Sequence, residues 1–136
     1  MGMFGEEHLV RKEREERKGK HLEMVDSPLS RRVIGCAIEV SRVLGCGFVE
    51  RVYENALMVE LARAGVVAEQ QKAVTVRYRG AIVGDYVVDI LVEGGLLVEV
   101  KAIDRLSPIH DAQVMNYLRA TGCTVGLLLN FGRPQL

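Results

Sequence analysis

No apolar run in this 136-residue sequence approaches the roughly 18 residues that a membrane-spanning helix needs, and no apolar signal-peptide core follows Met1. A membrane protein and a secreted precursor are set aside on that ground, and a cytoplasmic location is the expectation. Cysteine is scarce: Cys36, Cys46 and Cys123 are odd in number and lack the close spacing of metal ligands. That argues against a disulfide framework or a zinc site and leaves buried or partly buried free thiols. An excess of one charge is missing too. Lys and Arg together number 18, as do Asp and Glu, so the chain cannot hold nucleic acid by bulk positive charge alone. Any phosphate-binding surface must be local, or assisted by a bound divalent cation.

What is present suits one domain with a core of its own, since 49% of the residues are hydrophobic. Residues 1–26 are the exception. They carry the mixed charges of RKEREERKGK and few apolar residues, too little to bury, and are expected to form a frayed or partner-dependent arm with at most transient helix. The domain is expected over residues 27–136. Ser27-Pro28 opens a helix whose apolar residues, Leu29, Val33, Ile34, Ala37, Ile38 and Leu44, recur at helical spacing up to Gly45. A second helix follows from about Phe48 to Ala64, with Glu50 in its first turn and Gly65 as its cap. The helix dipole favours an acid there, so Glu50 has a purely structural explanation as well.

From Val66 the apolar period changes to two, through AVTVRY, IVGDYVVDILV and LLVEVKA. The short links between these runs predict a three-stranded antiparallel meander. Ser107-Pro108 opens a third helix that closes at Gly122, and the run from Thr124 to Leu129 predicts a fourth strand parallel to the Leu96–Lys101 strand.

The stretch YVVDILVEGGLLVEVKA, Tyr86 to Ala102, sets three charges, Asp89, Glu99 and Lys101, into an apolar hairpin. Side chains alternate faces along a strand, so Glu99 and Lys101 share one face. A two-residue loop at Gly94-Gly95 would send Asp89 to the other face. A three-residue loop, Glu93-Gly94-Gly95, sets it opposite Glu99, and the glycine-bearing odd loop is the expected one. Paired carboxylates hold hard divalent ions such as Mg2+ or Mn2+, and a neighbouring lysine orients water or offsets charge on a phosphate in transition. A structural salt bridge among the three accounts for the spacing equally well. Gln113 and Tyr117, four residues apart on the third helix, share a face that opens just beyond Lys101. Lys72, Arg77 and Arg79 are candidate phosphate contacts near the meander.

The segment GFVERVY, Gly47 to Tyr53, resembles the signature of the GxxExxY proteins, a group within the PD-(D/E)xK nuclease superfamily. The resemblance extends from about Leu29 to Pro134, through VDILVEGGLLVEVKA and the SPIHDAQVMNYLRATG helix. It implies an α/β restriction-endonuclease-like core, a mixed four-stranded sheet with helices on both faces, and a divalent-metal nuclease site. In that site Asp89, Glu99 and Glu50 match the metal-binding acids, Lys101 the motif lysine, and Gln113 and Tyr117 the Q-x-x-x-Y pattern of the RecB-like branch. Ser41 departs from the histidine expected in many relatives. The implied activity is metal-dependent hydrolysis of DNA or RNA, with a homodimer as an option. The competing expectation is a nuclease-fold module that binds nucleic acid or a protein without turnover.

Overall fold

The computed structural model describes residues 6–11 and 27–132. Among the described residues, three helices and four of the five strands follow the periodicity closely. Ser27 caps the first helix, α1 (Pro28–Leu44), by accepting from the Ser30 amide at 3.1 Å, with Pro28 preset for its first position. The helix ends at Gly45, whose φ of 69° turns the chain and whose N–H donates to Ser41 O at 2.9 Å. After a short loop, α2 spans Glu50–Arg63 and α3 spans Pro108–Thr121, the latter closed by left-handed Gly122.

Strands β2 (Ala68–Tyr78) and β3 (Ala81–Val92) form a hairpin through Arg79-Gly80. Both loop residues have positive φ, 50° and 85°, the backbone twist that suits a two-residue hairpin turn. Strand β4 (Leu96–Lys101) pairs antiparallel to β3, and β5 (Val125–Asn130) pairs parallel to β4 after the crossover through α3. The expected meander and parallel fourth strand are therefore present. Helices cover both faces. Val33, Val40, Tyr53, Leu57 and Leu61 of α1 and α2 bury one side of the sheet against Val98, Val100, Leu127 and Leu129. Val114 and Leu118 of α3 bury the other against Val88, Leu97 and Leu128.

The sheet has five strands rather than the expected four, in the order β1-β5-β4-β3-β2. The additional one is β1, Glu6–Arg11, which pairs antiparallel with β5 from Glu6–Asn130 to Arg11–Val125. The expectation of a frayed arm over residues 1–26 is thus corrected for these six, while residues 1–5 and 12–26 lie outside the described residues. Charge density misled because an edge strand is held mainly by main-chain hydrogen bonds, which do not depend on apolar side chains. The two apolar residues available are used, Leu9 toward the α1/α2 core and Val10 toward the α3 side. Glu6 adds a clamp: its Oε1 accepts from the Leu106 amide at 2.9 Å and from Asn130 Nδ2 at 3.1 Å.

Candidate active site

Three residue pairs, Val92–Leu96, Leu91–Leu97 and Ile90–Val98, join β3 to β4, which makes Glu93-Gly94-Gly95 the three-residue loop expected from the sequence. Gly94 and Gly95 both take positive φ, 96° and 92°, as such a loop requires. Beyond Ile90 and Val98 the ladder stops and two side chains replace it. The Asp89 N–H donates to Glu99 Oε2 at 2.9 Å, and the Val100 N–H donates to Asp89 Oδ2 at 2.8 Å. Each carboxylate thus satisfies an amide left without a strand partner, which fixes both acids where the strands part.

Helix α2 supplies a third acid. Tyr53 is fully buried and stacks on Phe131 with ring centroids 4.8 Å apart. Its hydroxyl donates to Gly45 O at 2.6 Å and accepts from the Phe48 N–H at 3.1 Å. The tyrosine of the GFVERVY segment therefore staples the loop that leads into α2, and so sets where Glu50 begins the helix. Glu54, one turn on, is only 2% exposed. It is held by Gln70 Nε2 at 2.8 Å, Gln71 Nε2 at 2.7 Å and Arg51 Nε at 3.4 Å. Gln71 adopts a φ of 55°, rare for a residue with a side chain, where the β2–β3 register passes Asp89 unpaired. That conformation accompanies a contact between its amide and Asp89 Oδ1 at 3.5 Å.

From the opposite side, Lys101 Nζ donates to Gln113 Oε1 at 3.3 Å. Tyr117, one turn further along α3, faces Tyr86 of β3 with ring centroids 5.9 Å apart. These two helical residues border a groove of about 870 Å³ between α3 and the β2–β3 hairpin, which Arg77 also lines. Lys72 and Arg79 are not part of it. Lys72 pairs with Glu69 at 3.3 Å, and the Arg79 guanidinium lies 5.5 Å from the centre of the Tyr78 ring at the hairpin tip.

The electrostatics of the centre are those of crowded acids. Burial, and then the neighbouring Asp89 carboxylate, push Glu99 up to about 8. Asp89 is raised by burial against the opposing hydrogen bond from Val100, with Glu54 adding to the rise. Glu50 keeps contact with solvent at its helix start, yet lost hydration in the concave site raises its pKa, opposed by Lys101 and reinforced by Asp89. Tyr117 is raised by burial and then by the charges of Glu99 and Asp89. Among the described residues no three His, Cys, Asp or Glu side chains have converged on one point. The donor chemistry nonetheless fits a hard divalent ion. Asp89 and Glu99 each commit one oxygen to a backbone amide, so the oxygens that would meet a cation are Glu99 Oε1 and Asp89 Oδ1, the latter 3.5 Å from the Gln71 side-chain amide, with Glu50 beside them. A cation would also offset the burial and, after it, the carboxylate repulsion that raise all three.

Residues 27–136 match the family model of the PD-(D/E)XK nuclease superfamily. The chain belongs to that superfamily. No curated protein and no solved structure matches it. Strand β1 lies ahead of the matched range, so the PD-(D/E)XK domain here carries an additional edge strand. A nuclease-type domain that interacts with nucleic acid is what this membership supports, and no described helix is long and apolar enough to cross a membrane.

The structure brings the candidate residues Asp89, Glu99, Lys101, Glu50, Gln113 and Tyr117 into one electrostatic neighbourhood. Sequence reasoning missed Glu54, Gln71 and Tyr86. Glu54 was within reach, since it stands four residues after Glu50 and shares its helix face. Gln71 was not, because nothing in AEQQKAVTV marks which strand residue turns left-handed.

Proposed function

We propose that this protein is a divalent-metal-dependent phosphodiester hydrolase acting on nucleic acid, of the GxxExxY type marked by Gly47 to Tyr53. The observation that carries the reading is the hydrogen-bonded placement of Asp89 and Glu99 at the parting of β3 and β4, with Lys101 on the same strand as Glu99. Asp89, Glu99 and Glu50 would hold Mg2+ or Mn2+, which supplies positive charge against that developing on the phosphate. Among the described residues, Lys101 is the one cation whose charge bears on Glu50, Asp89 and Glu99 alike. Its ammonium orients the attacking water and offsets phosphate charge, and Gln113 keeps it aimed. Tyr117 and Arg77 orient the substrate backbone.

The test is cleavage of single- and double-stranded DNA and RNA with Mg2+ or Mn2+, alongside calorimetric titration of the metal. Lys101→Ala should lower hydrolysis by about 10²–10³-fold with an unchanged melting temperature, and Asp89→Ala should weaken metal binding. Full cleavage by both variants would overturn the reading. Nucleic-acid binding with no divalent affinity would assign the protein to the class of non-hydrolysing modules instead.

A further inference from the structure

The groove beside the carboxylates has a composition that the hydrolytic centre alone does not explain. Beyond Ile90, β3 no longer pairs with β4, so its outer half and β2 form a two-stranded arm. The groove lies between that arm and α3. No carboxylate lines it, while two guanidinium groups do, Arg77 from β2 and Arg119 from α3. Neither is ion-paired among the described residues, and Arg119 Nη1 donates to Asn116 Oδ1 at 3.0 Å, which directs it along the helix surface. In a chain whose charges balance overall, two unpaired arginines facing one acid-free groove form a local site for a polyanion.

Rings mark the other half of the site. Tyr86 is 50% exposed on the arm, and it faces Tyr117 with a 57° tilt between the ring planes. Tyr117 adjoins Gln113, which holds Lys101. One groove lining thus holds two arginines, a tyrosine pair and the Gln113 that contacts Lys101. A base can stack on a tyrosine only when it is not already stacked inside a duplex, so the rings serve unpaired bases.

We infer that the groove between α3 and the β2–β3 arm is a binding channel for single-stranded nucleic acid, with Tyr86 stacking a base and Arg77 and Arg119 holding the phosphates that flank it. This assignment rests on the hydrolase reading for its purpose, and its test does not depend on turnover. Fluorescence anisotropy of the full chain in EDTA, with labelled oligo-dT, oligo-U and a hairpin duplex of equal phosphate number, reads binding alone. The single strands should bind more tightly than the duplex, and comparison of dT with U shows whether the channel selects DNA or RNA. Tyr86→Ala should weaken single-strand binding roughly tenfold and leave duplex binding unchanged, while Tyr86→Phe retains affinity. Removing both guanidiniums, Arg77→Ala with Arg119→Ala, should flatten the slope of log affinity against log salt by about 1.4. Preference for the duplex, or indifference of single-strand binding to Tyr86→Ala, would overturn the channel. Single-strand binding through Tyr86 without hydrolysis in Mg2+ or Mn2+ would instead remove the hydrolase reading and keep the channel.

Discussion

Replacing Glu99 by Gln should stabilise the metal-free protein while ending its response to metal. The acid is 4% exposed and its carboxyl is raised to about 8 from an ordinary 4.5 by burial and by Asp89. A folded-state pKa above the unfolded one means that the folded protein prefers the protonated acid. That contribution to stability is fully present below pH 4.5 and is lost as pH rises through 8. At about 1.4 kcal/mol for each tenfold change in proton affinity, the loss by pH 8 is about 4–5 kcal/mol. The amide cannot ionise. Its oxygen keeps the bond from the Asp89 N–H, and its nitrogen donates to the Asp89 carboxylate in place of the shared proton. If relaxation absorbs half of the difference, about 2 kcal/mol remains, which is on the order of 5–10 °C in melting temperature for a domain of this size.

Thermal melts in EDTA at pH 5 and pH 8.5 provide the assay. The parent should lose stability between the two, and the variant should lie above it at pH 8.5 and converge on it at pH 5. Adding Mg2+ or Mn2+ at pH 8.5 should raise the parent toward or past the variant and leave the variant unmoved. Equal melting temperatures at pH 8.5 in EDTA, or a variant less stable than the parent there, would refute the argument that Glu99 is held at an electrostatic cost.

Other substitutions probe the supports of the site. Tyr53→Phe removes the hydroxyl that joins Gly45 O to the Phe48 amide. It should cost about 1–2 kcal/mol in a denaturant melt and lower hydrolysis more than stability, through a displaced Glu50, whereas unchanged activity would detach that loop from the site. Gly126→Ala would place a methyl 2.6 Å from Val114 Cγ1, where α3 sits on β5. Overpacking of that kind should cost about 1–3 kcal/mol by urea denaturation, and a neutral result would show that α3 yields. Glu6→Ala strips the acceptor used by the Leu106 amide and Asn130 Nδ2. Amide exchange across Glu6–Arg11 should then accelerate while that of β4 stays slow.

The parts of the fold that were legible in the sequence are those decided locally. Ser27-Pro28 and Ser107-Pro108 open helices because their caps act within one turn, and Gly45 and Gly122 close them because glycine takes the required backbone angles at no steric cost. The hairpin register was legible for the same reason. A Glu-Gly-Gly loop of three residues dictates which side chains face each other, and with them the meeting of Asp89 and Glu99. Strand β1 was not, because what holds Glu6–Arg11 is the free edge of β5, more than a hundred residues away in the chain. The phosphate candidates divided on similar lines. Arg77, Lys72 and Arg79 have like chemistry, and only the position of α3 decides that Arg77 borders the groove.

By itself, then, the sequence determined on which strand face or helix turn each candidate residue stands, since periodicity, caps and loop length act over a few residues. The tertiary structure alone decided what those residues meet. It set Glu54 and a left-handed Gln71 around Asp89, paired Lys101 with Gln113, and laid Tyr86 and Arg77 across from α3. Such meetings depend on long-range packing, where a strand's partner and a helix's docking angle are settled by the whole core rather than by the residues that profit from it.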